Sequence, residues 1–217
     1  MRAVLFLNGA PDAPALLQRI SEGADLVLAA DGGARHALDA GIVPGLIVGD
    51  MDSLGDAGTR EAGKLGARLE RHPVRKDKMD GHLAVIAARE RGATELDFLC
   101  ASGGGISALF AVPHLLLSAE RMGIRAAAVG GWGRAFVMES GSRTVAGSPG
   151  DGVSVFPFTG PATGVTLTGF SYPLKDTRLE MGDTLGFHNE LTAAEGRISV
   201  GEGALLVIQE PPESTSG

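Results

Sequence analysis

At 217 residues and a formal charge of −7, the chain is long enough for one large or two small domains with a sizeable core, and its acidity argues against a general nucleic-acid or membrane surface. A single cysteine, Cys100, excludes an intrachain disulfide framework and fits a reducing cytosol. Glycine, at 33 residues, is roughly twice the ~7% norm and no repeat accounts for it, so many positions require tight turns or close backbone approach. The first nine residues carry one basic side chain and too short an apolar run for a signal peptide. The apolar stretch 108–117 is interrupted by Pro113 and His114. A soluble, cytoplasmic protein with no membrane and no nucleic-acid partner is expected.

In chain order, residues 3–7 are a predicted buried strand running into the turn Asn8-Gly9-Ala10-Pro11. A helical period over 13–22 precedes a second buried strand, 26–30, which ends in Asp31-Gly32-Gly33 before a helix over 34–40. The third strand, 46–48, ends in Gly49-Asp50-Met51-Asp52-Ser53. A helix over 59–65, a short strand over 68–71 and a helix over 79–91 follow, the last with Leu83, Ile86 and Ala87 on one face. Strand 96–100, with Cys100 as a small buried hydrophobe, helix 107–122 and the apolar run 126–129 complete this half. Strands that alternate with helices and are apolar on both faces predict a parallel sheet covered on both sides. After Gly130-Gly131 the helical period vanishes. Short segments at 153–158, 164–167, 177–179, 197–200 and 204–209 alternate with turn clusters, the spacing of a small antiparallel sandwich. The expected fold class is therefore α/β: an N-terminal, Rossmann-like parallel sheet flanked by helices over 1–135, then a C-terminal β-sandwich domain over 140–210. The polar, proline-rich end, 211–217, is expected to be a disordered tail.

Ligands of parallel α/β sheets bind beyond the carboxyl ends of the strands. Asp50 and Asp52, one residue apart where the third strand runs out, can offer hard oxygen ligands to a divalent cation. The plainer alternative is an Asx turn whose side chains cap their own loop. Asp31-Gly32-Gly33 repeats the pattern, with glycines that let backbone amides approach an anion, or with a simple capped strand-to-helix turn. A third cluster, Arg75-Lys76-Asp77-Lys78-Met79-Asp80, interleaves acids and bases at a helix start, where a solvated cap would look much the same. Together the three loops supply what phosphoryl transfer requires: acids for a bridging cation, a base for the phosphate chain and backbone donors. A carboxylate near an acceptor hydroxyl can also orient it or take its proton. His36, His72, His82 and His114 show no metal-ligand spacing, and Trp132 reads as a hinge or core aromatic.

Asp31-Gly32-Gly33-Ala34, then Pro44 through Ile47-Val48-Gly49-Asp50-Met51-Asp52-Ser53, then Lys76-Asp77-x-x-Asp80 with Ala84, resemble the thiamine pyrophosphokinases in order and spacing. Gly169-Phe170-Ser171-Tyr172-Pro173-Leu174 and Gly186-Phe187-His188-Asn189-Glu190 extend the resemblance over nearly the whole chain. The resemblance implies a nucleotide-binding catalytic domain, a thiamine-binding sandwich and a homodimer, with thiamine at the dimer interface against the partner's sandwich. The implied reaction moves pyrophosphate from ATP to the thiamine hydroxyl, giving thiamine diphosphate and AMP, with Mg²⁺. Carried onto this sequence, Asp50, Asp52 and Asp80 are the catalytic and metal-binding residues. Asp31, Gly32, Gly33, Lys76, Asp77, Gly104, Gly105, His188 and Asn189 are the substrate-binding ones.

Three elements depart from the family pattern. The threonine of KDxTD is Met79, and the usual Ser-Asn is His188-Asn189. The GGRxDHxLAN element falls on residues 103–112, where its arginine, aspartate, histidine and asparagine are absent. Arg75, Arg134 and Arg143 are the candidates for the missing cation, and Gly103-Gly104-Gly105 either presents amides to a phosphate or lets the next helix pack closely. Two other readings follow from these departures: the same chemistry on a different hydroxylated small molecule, or a nucleotide- or thiamine-binding protein without catalysis.

Overall fold

The structure, a computed structural model, describes residues 1–73 and 77–212, and its contacts divide the chain into two units, Met1–Gly131 and Trp132–Gly217. Lys76 and Arg75, with the last five residues of the expected tail, lie outside the described residues.

In the first unit, runs of Ala, Val, Leu and Phe form β1 (Arg2–Phe6), β2 (Leu26–Ala30), β3 (Leu46–Gly49), β5 (Glu95–Leu99) and β6 (Arg125–Gly130), all largely buried. The polar β4 (Arg68–Arg71) sits at the edge beside β3, where half-exposed side chains are tolerated. Every pairing is parallel, in the order β6-β5-β1-β2-β3-β4. The chain adds strands outward from β1 to β4, then crosses back and places β5 on the other side of β1. The strand order therefore reverses between β1 and β5. In open α/β sheets that reversal opens a crevice at the carboxyl edge. The helices are α1 (Pro14–Ser21), α2 (Gly33–Asp39), α3 (Gly55–Lys64), α4 (Asp80–Glu90) and α5 (Ile106–Arg121), the last continuing through Pro113. They fall within a few residues of the expected spans, α3 beginning four residues early. Val4, Phe6, Leu17, Ile47 and Leu99 anchor the core, and Cys100 is fully buried within it. Helix α2 lies backbone to backbone on β1: a Cβ on Gly33 would stand 2.3 Å from the Phe6 carbonyl oxygen. No helix among the described residues is long and apolar enough to cross a membrane.

The second unit is β7 (Gly133–Ala146), β8 (Gly152–Pro157), β9 (Ala162–Thr168), β10 (Leu174–Leu179), β11 (Asn189–Glu190) and β12 (Glu195–Glu210). Two expectations change here. The 14-residue β7 was not foreseen, because Glu139 to Arg143 is too polar to read as a strand. The segments 197–200 and 204–209, expected as separate strands, are one strand, β12. Gly201-Glu202-Gly203 interrupts the apolar pattern without ending the strand, and the register against β7 shifts between Val200 and Ala204. Before the shift β12 pairs with β9, which carries β10; after it β12 pairs with β8, which carries β11. One strand thus belongs to both layers of the sandwich.

The tight α2–β1 approach makes Gly33 sensitive. Gly33→Ala is expected to destabilise by more than about 2 kcal/mol. Gly63→Ala, which meets nothing within 4 Å near the end of α3, is expected to stabilise by up to about 1 kcal/mol. Urea unfolding of the two variants checks both signs.

Candidate active site

Three loops leave the carboxyl edge under backbone strain. The residue following β2, Asp31, has φ +43°, Met51 after β3 has +69°, and Cys100 after β5 has +52°, all in the left-handed region that costs a non-glycine residue energy. The burial of Met51, at 4% exposed, explains one of these conformations: its side chain is held in the core. The neighbouring Asp50 and Asp52 carboxylates are thereby turned to the same point as Asp31. One oxygen from each of Asp31, Asp50 and Asp52 lies within 4.8 Å of the others.

Asp80, first residue of α4, stands beside this group but outside it. A Cβ on Gly49 would stand 3.0 Å from the Asp31 Cβ and 3.2 Å from Asp80 Oδ1, at a φ of +152° that side-chain-bearing residues rarely adopt, so a side chain here would crowd both acids. The Asx turn is also present: Asp50 Oδ1 accepts the Asp52 backbone N–H at 3.1 Å, and Ser53 Oγ donates to Asp52 Oδ1 at 3.1 Å. The turn and the acidic cluster are one structure, since the turn's hydrogen bonds aim the carboxylates.

Asp31 is 9% exposed, and its Oδ1 is buried without a hydrogen-bond partner among the described residues. Burial pushes its pKa up, the Ser53 hydroxyl and the Gly32 N–H pull it down, and the Asp52 and Asp50 charges add to the rise. A buried acceptor facing two more carboxylates is the donor set of a hard divalent cation such as Mg²⁺, and the residues fit that ion.

The other expected residues are placed as follows. Gly32 and Gly33 are buried, their missing side chains taken up by close contact with Asn8 and with the Phe6 carbonyl. Asp77 is exposed and stands outside the three-carboxylate cluster. Gly103, Gly104 and Gly105 have φ of +73°, +73° and +90°, and no side chain caps α5 behind them. Open space adjoins Gly105. In the sandwich, Asn189 is 3% exposed, and its amide is engaged internally: Oδ1 accepts the Tyr172 N–H at 2.9 Å and Nδ2 donates to the Tyr172 carbonyl at 2.7 Å. His188, at φ +54°, stands edge-on to the Phe187 ring with centroids 4.0 Å apart. His188 and Asn189 line a recess of about 670 Å³ with Trp132, Glu190 and Glu210. The Arg143 guanidinium lies over the Phe136 ring at 5.3 Å.

Two residues escaped the sequence reading. Tyr172, 67% exposed and clamped by Asn189, was marked only by its place in the Gly169–Leu174 motif. Asn8, at the end of β1, was marked only by an Asn-Gly turn.

A parallel sheet with acids gathered at its carboxyl edge, joined in one chain to a β-sandwich, is the build of an α/β transferase. Residues 17–127 match the family described as "Thiamin pyrophosphokinase, catalytic domain", and residues 143–205 match "Thiamin pyrophosphokinase, vitamin B1 binding domain". The chain belongs to the thiamin pyrophosphokinase family. It is 28% identical over 185 residues to the thiamine pyrophosphokinase of Bacillus subtilis (strain 168), covering 85% of this chain and 86% of the relative. The crystal structure of thiamine pyrophosphokinase from Bacillus subtilis superposes with a TM-score of 0.85 at 26% identity, covering 97% of this chain and 99% of its own. That from Geobacillus thermodenitrificans gives 0.81 at 28% identity, covering 98% and 99%.

Because Asp31 holds its proton more tightly in the fold than in the unfolded chain, stability falls as pH rises from the ordinary carboxylate value of 3.8 through the raised one. Asp31→Asn is therefore expected to raise Tm by a few degrees at pH 7 without divalent cation, and to abolish the further rise that Mg²⁺ or Mn²⁺ gives the parent. Thermal unfolding with and without the cation measures both.

Proposed function

We propose that this protein transfers the pyrophosphoryl group of ATP to the hydroxyl of thiamine, producing thiamine diphosphate and AMP, with Mg²⁺ at the carboxylate cluster. The convergence of Asp31, Asp50, Asp52 and Asp80 at one strand edge is the observation that carries this reading. The hydroxyl oxygen forms a bond to the β-phosphorus as the bond to the α,β-bridging oxygen breaks, so AMP leaves with that oxygen. A cluster carboxylate orients the hydroxyl and accepts its proton. When bound, Mg²⁺ supplies charge neutralisation across the phosphate oxygens. Asp31, Asp50 and Asp52 hold the cation, Asp80 stands beside them across Gly49, and Gly32 and Gly33 shape the adjoining wall. Lys76 neutralises phosphate charge, while Asp77, exposed and outside the cluster, contacts the substrate's solvent side. The uncapped N-terminus of α5 behind Gly104 and Gly105 offers backbone N–H groups to a phosphate.

The sandwich suits a cationic heteroaromatic acceptor. Tyr172 and Phe187 expose 67% and 50% of their surface, and an aromatic face attracts a positively charged ring. Asn189 acts here as a positioning residue for Tyr172, while His188, beside Glu190, faces the recess where the acceptor binds. The homodimer implied by the family resemblance is supported by exposed apolar side chains on each unit: Ile106 and Phe110 on α5, Met181 and Leu185 in the sandwich.

Incubated with Mg²⁺-ATP and thiamine, the protein is expected to release AMP and thiamine diphosphate in equal amounts, and Asp50→Asn to lower the rate about 100-fold or more. Tyr172→Ala is expected to raise the KM for thiamine by about tenfold with little change for ATP. AMP release with other hydroxyl compounds but not with thiamine would assign the same chemistry to a different acceptor. Tight nucleotide binding with no turnover would make the chain a binding protein.

A further inference from the structure

Three strands of the second unit meet at the recess, and their register leaves an open slot between two acids. Glu210 of β12 and Glu190 of β11 both pair with Gly152 of β8, one from each side. Cross-strand partners present their side chains on the same face of a sheet. Each step across an antiparallel pair is about 5 Å, so the two glutamate Cα atoms stand about 10 Å apart. The residue between them has no side chain. A Cβ on Gly152 would meet one atom within 4 Å, the Glu210 carbonyl oxygen at 3.9 Å, so the space above it is clear.

Neither carboxylate makes a hydrogen bond or an ion pair with another described residue. Among the described residues the wall holds no lysine or arginine, and His188 is its one basic side chain. The Trp132 indole N–H, in the same wall, is buried without an acceptor. The recess is thus short of a positive charge and of a hydrogen-bond acceptor, and a nitrogen-containing cationic ring brings both.

We propose that Glu190 and Glu210 act as a charge filter that favours the acceptor before transfer and opposes it afterwards. The inference rests on the proposed acceptor and adds how the recess lets its product go. A positively charged ring entering above Gly152 lies between two carboxylates with no counter-ion to displace. Two phosphates attached to the same molecule reverse its net charge, and the acids then repel what they had attracted. The aromatic contacts with Tyr172 and Phe187 cannot make this distinction, because the ring they hold is the same in acceptor and product. Product release limits turnover in many enzymes, and here the two glutamates supply the difference in affinity that release requires. A single exposed ion pair is weak because water screens it. Two acting on one ligand, with opposite sign for acceptor and product, separate the two affinities further than either pair alone.

Calorimetry without nucleotide or divalent cation tests this with three probes: thiamine, a neutral isostere with thiophene in place of thiazolium, and thiamine diphosphate. The parent is expected to bind thiamine about tenfold or more tightly than the diphosphate. Glu190→Gln combined with Glu210→Gln is expected to weaken thiamine about tenfold, to leave the neutral isostere within about twofold, and to tighten the diphosphate. Added salt is expected to weaken thiamine binding to the parent and to have little effect on the double variant. Gly152→Val, which suits a strand and closes the slot, is expected to weaken thiamine and the neutral isostere alike. Circular dichroism checks that each variant is folded. If the double variant does not fold, Glu210→Gln alone and the salt dependence of the parent decide. Equal loss of thiamine and of the neutral isostere in the glutamine variants, unchanged binding of thiamine and its diphosphate, or no thiamine binding by the parent overturns the filter. Binding as expected but no transfer to thiamine from Mg²⁺-ATP overturns the proposed reaction and leaves the filter standing.

Discussion

Three carboxylates crowded at the end of a sheet, with a fourth beside them, repel one another, and much of the first unit serves to hold them there. The restraint is steric as much as electrostatic. Gly49 has no side chain, so Asp31 and Asp80 can close over it, and the buried Met51 fixes the turn from which Asp50 and Asp52 emerge. The strained backbone at Asp31 and Met51 persists because the core on one side and the turn's hydrogen bonds on the other leave no alternative. In the proposed function a cation offsets this repulsion, so the geometry that costs stability is also the one that would hold a metal-bound phosphate.

Much of this arrangement was legible in the sequence because parallel α/β units write it twice. The buried strands 26–30 and 46–48 each end in glycine and aspartate, and a sheet whose strands all run one way must bring those ends together. What the residues could not show is which acids lie within reach. Asp77 and Asp80 were separated only by the family resemblance, and in the fold one is exposed and the other packs against Gly49. Nor could periodicity reveal that the Asn8 side chain packs on Gly32, a contact across 24 residues of chain.

The sandwich was harder to read for a different reason. Its strands β7 and β12 are long, and both pass through polar stretches that look like turns when considered alone. Each of those stretches is stabilised by a partner strand, so the signal lies in the pairing and not in the local residues. Asn189 shows the same limit in a single side chain. Its expected contact with substrate rested on family resemblance; the fold adds what the sequence does not show, that its amide is engaged by the Tyr172 backbone, where it stiffens an exposed aromatic, while the residue also lines the recess.

The sharing of β12 between two layers has a bearing on assembly. Because this strand follows β7, β8 and β9 in the chain, those three emerge during synthesis with their hydrogen-bonding edges unsatisfied, and none of its own layer can close before the others. The sandwich is thus built to form late and all at once, and a nascent chain stalled short of Glu195 presents bare strand edges to its neighbours. Chaperone dependence of this domain would follow from topology, whatever the stability of the finished protein.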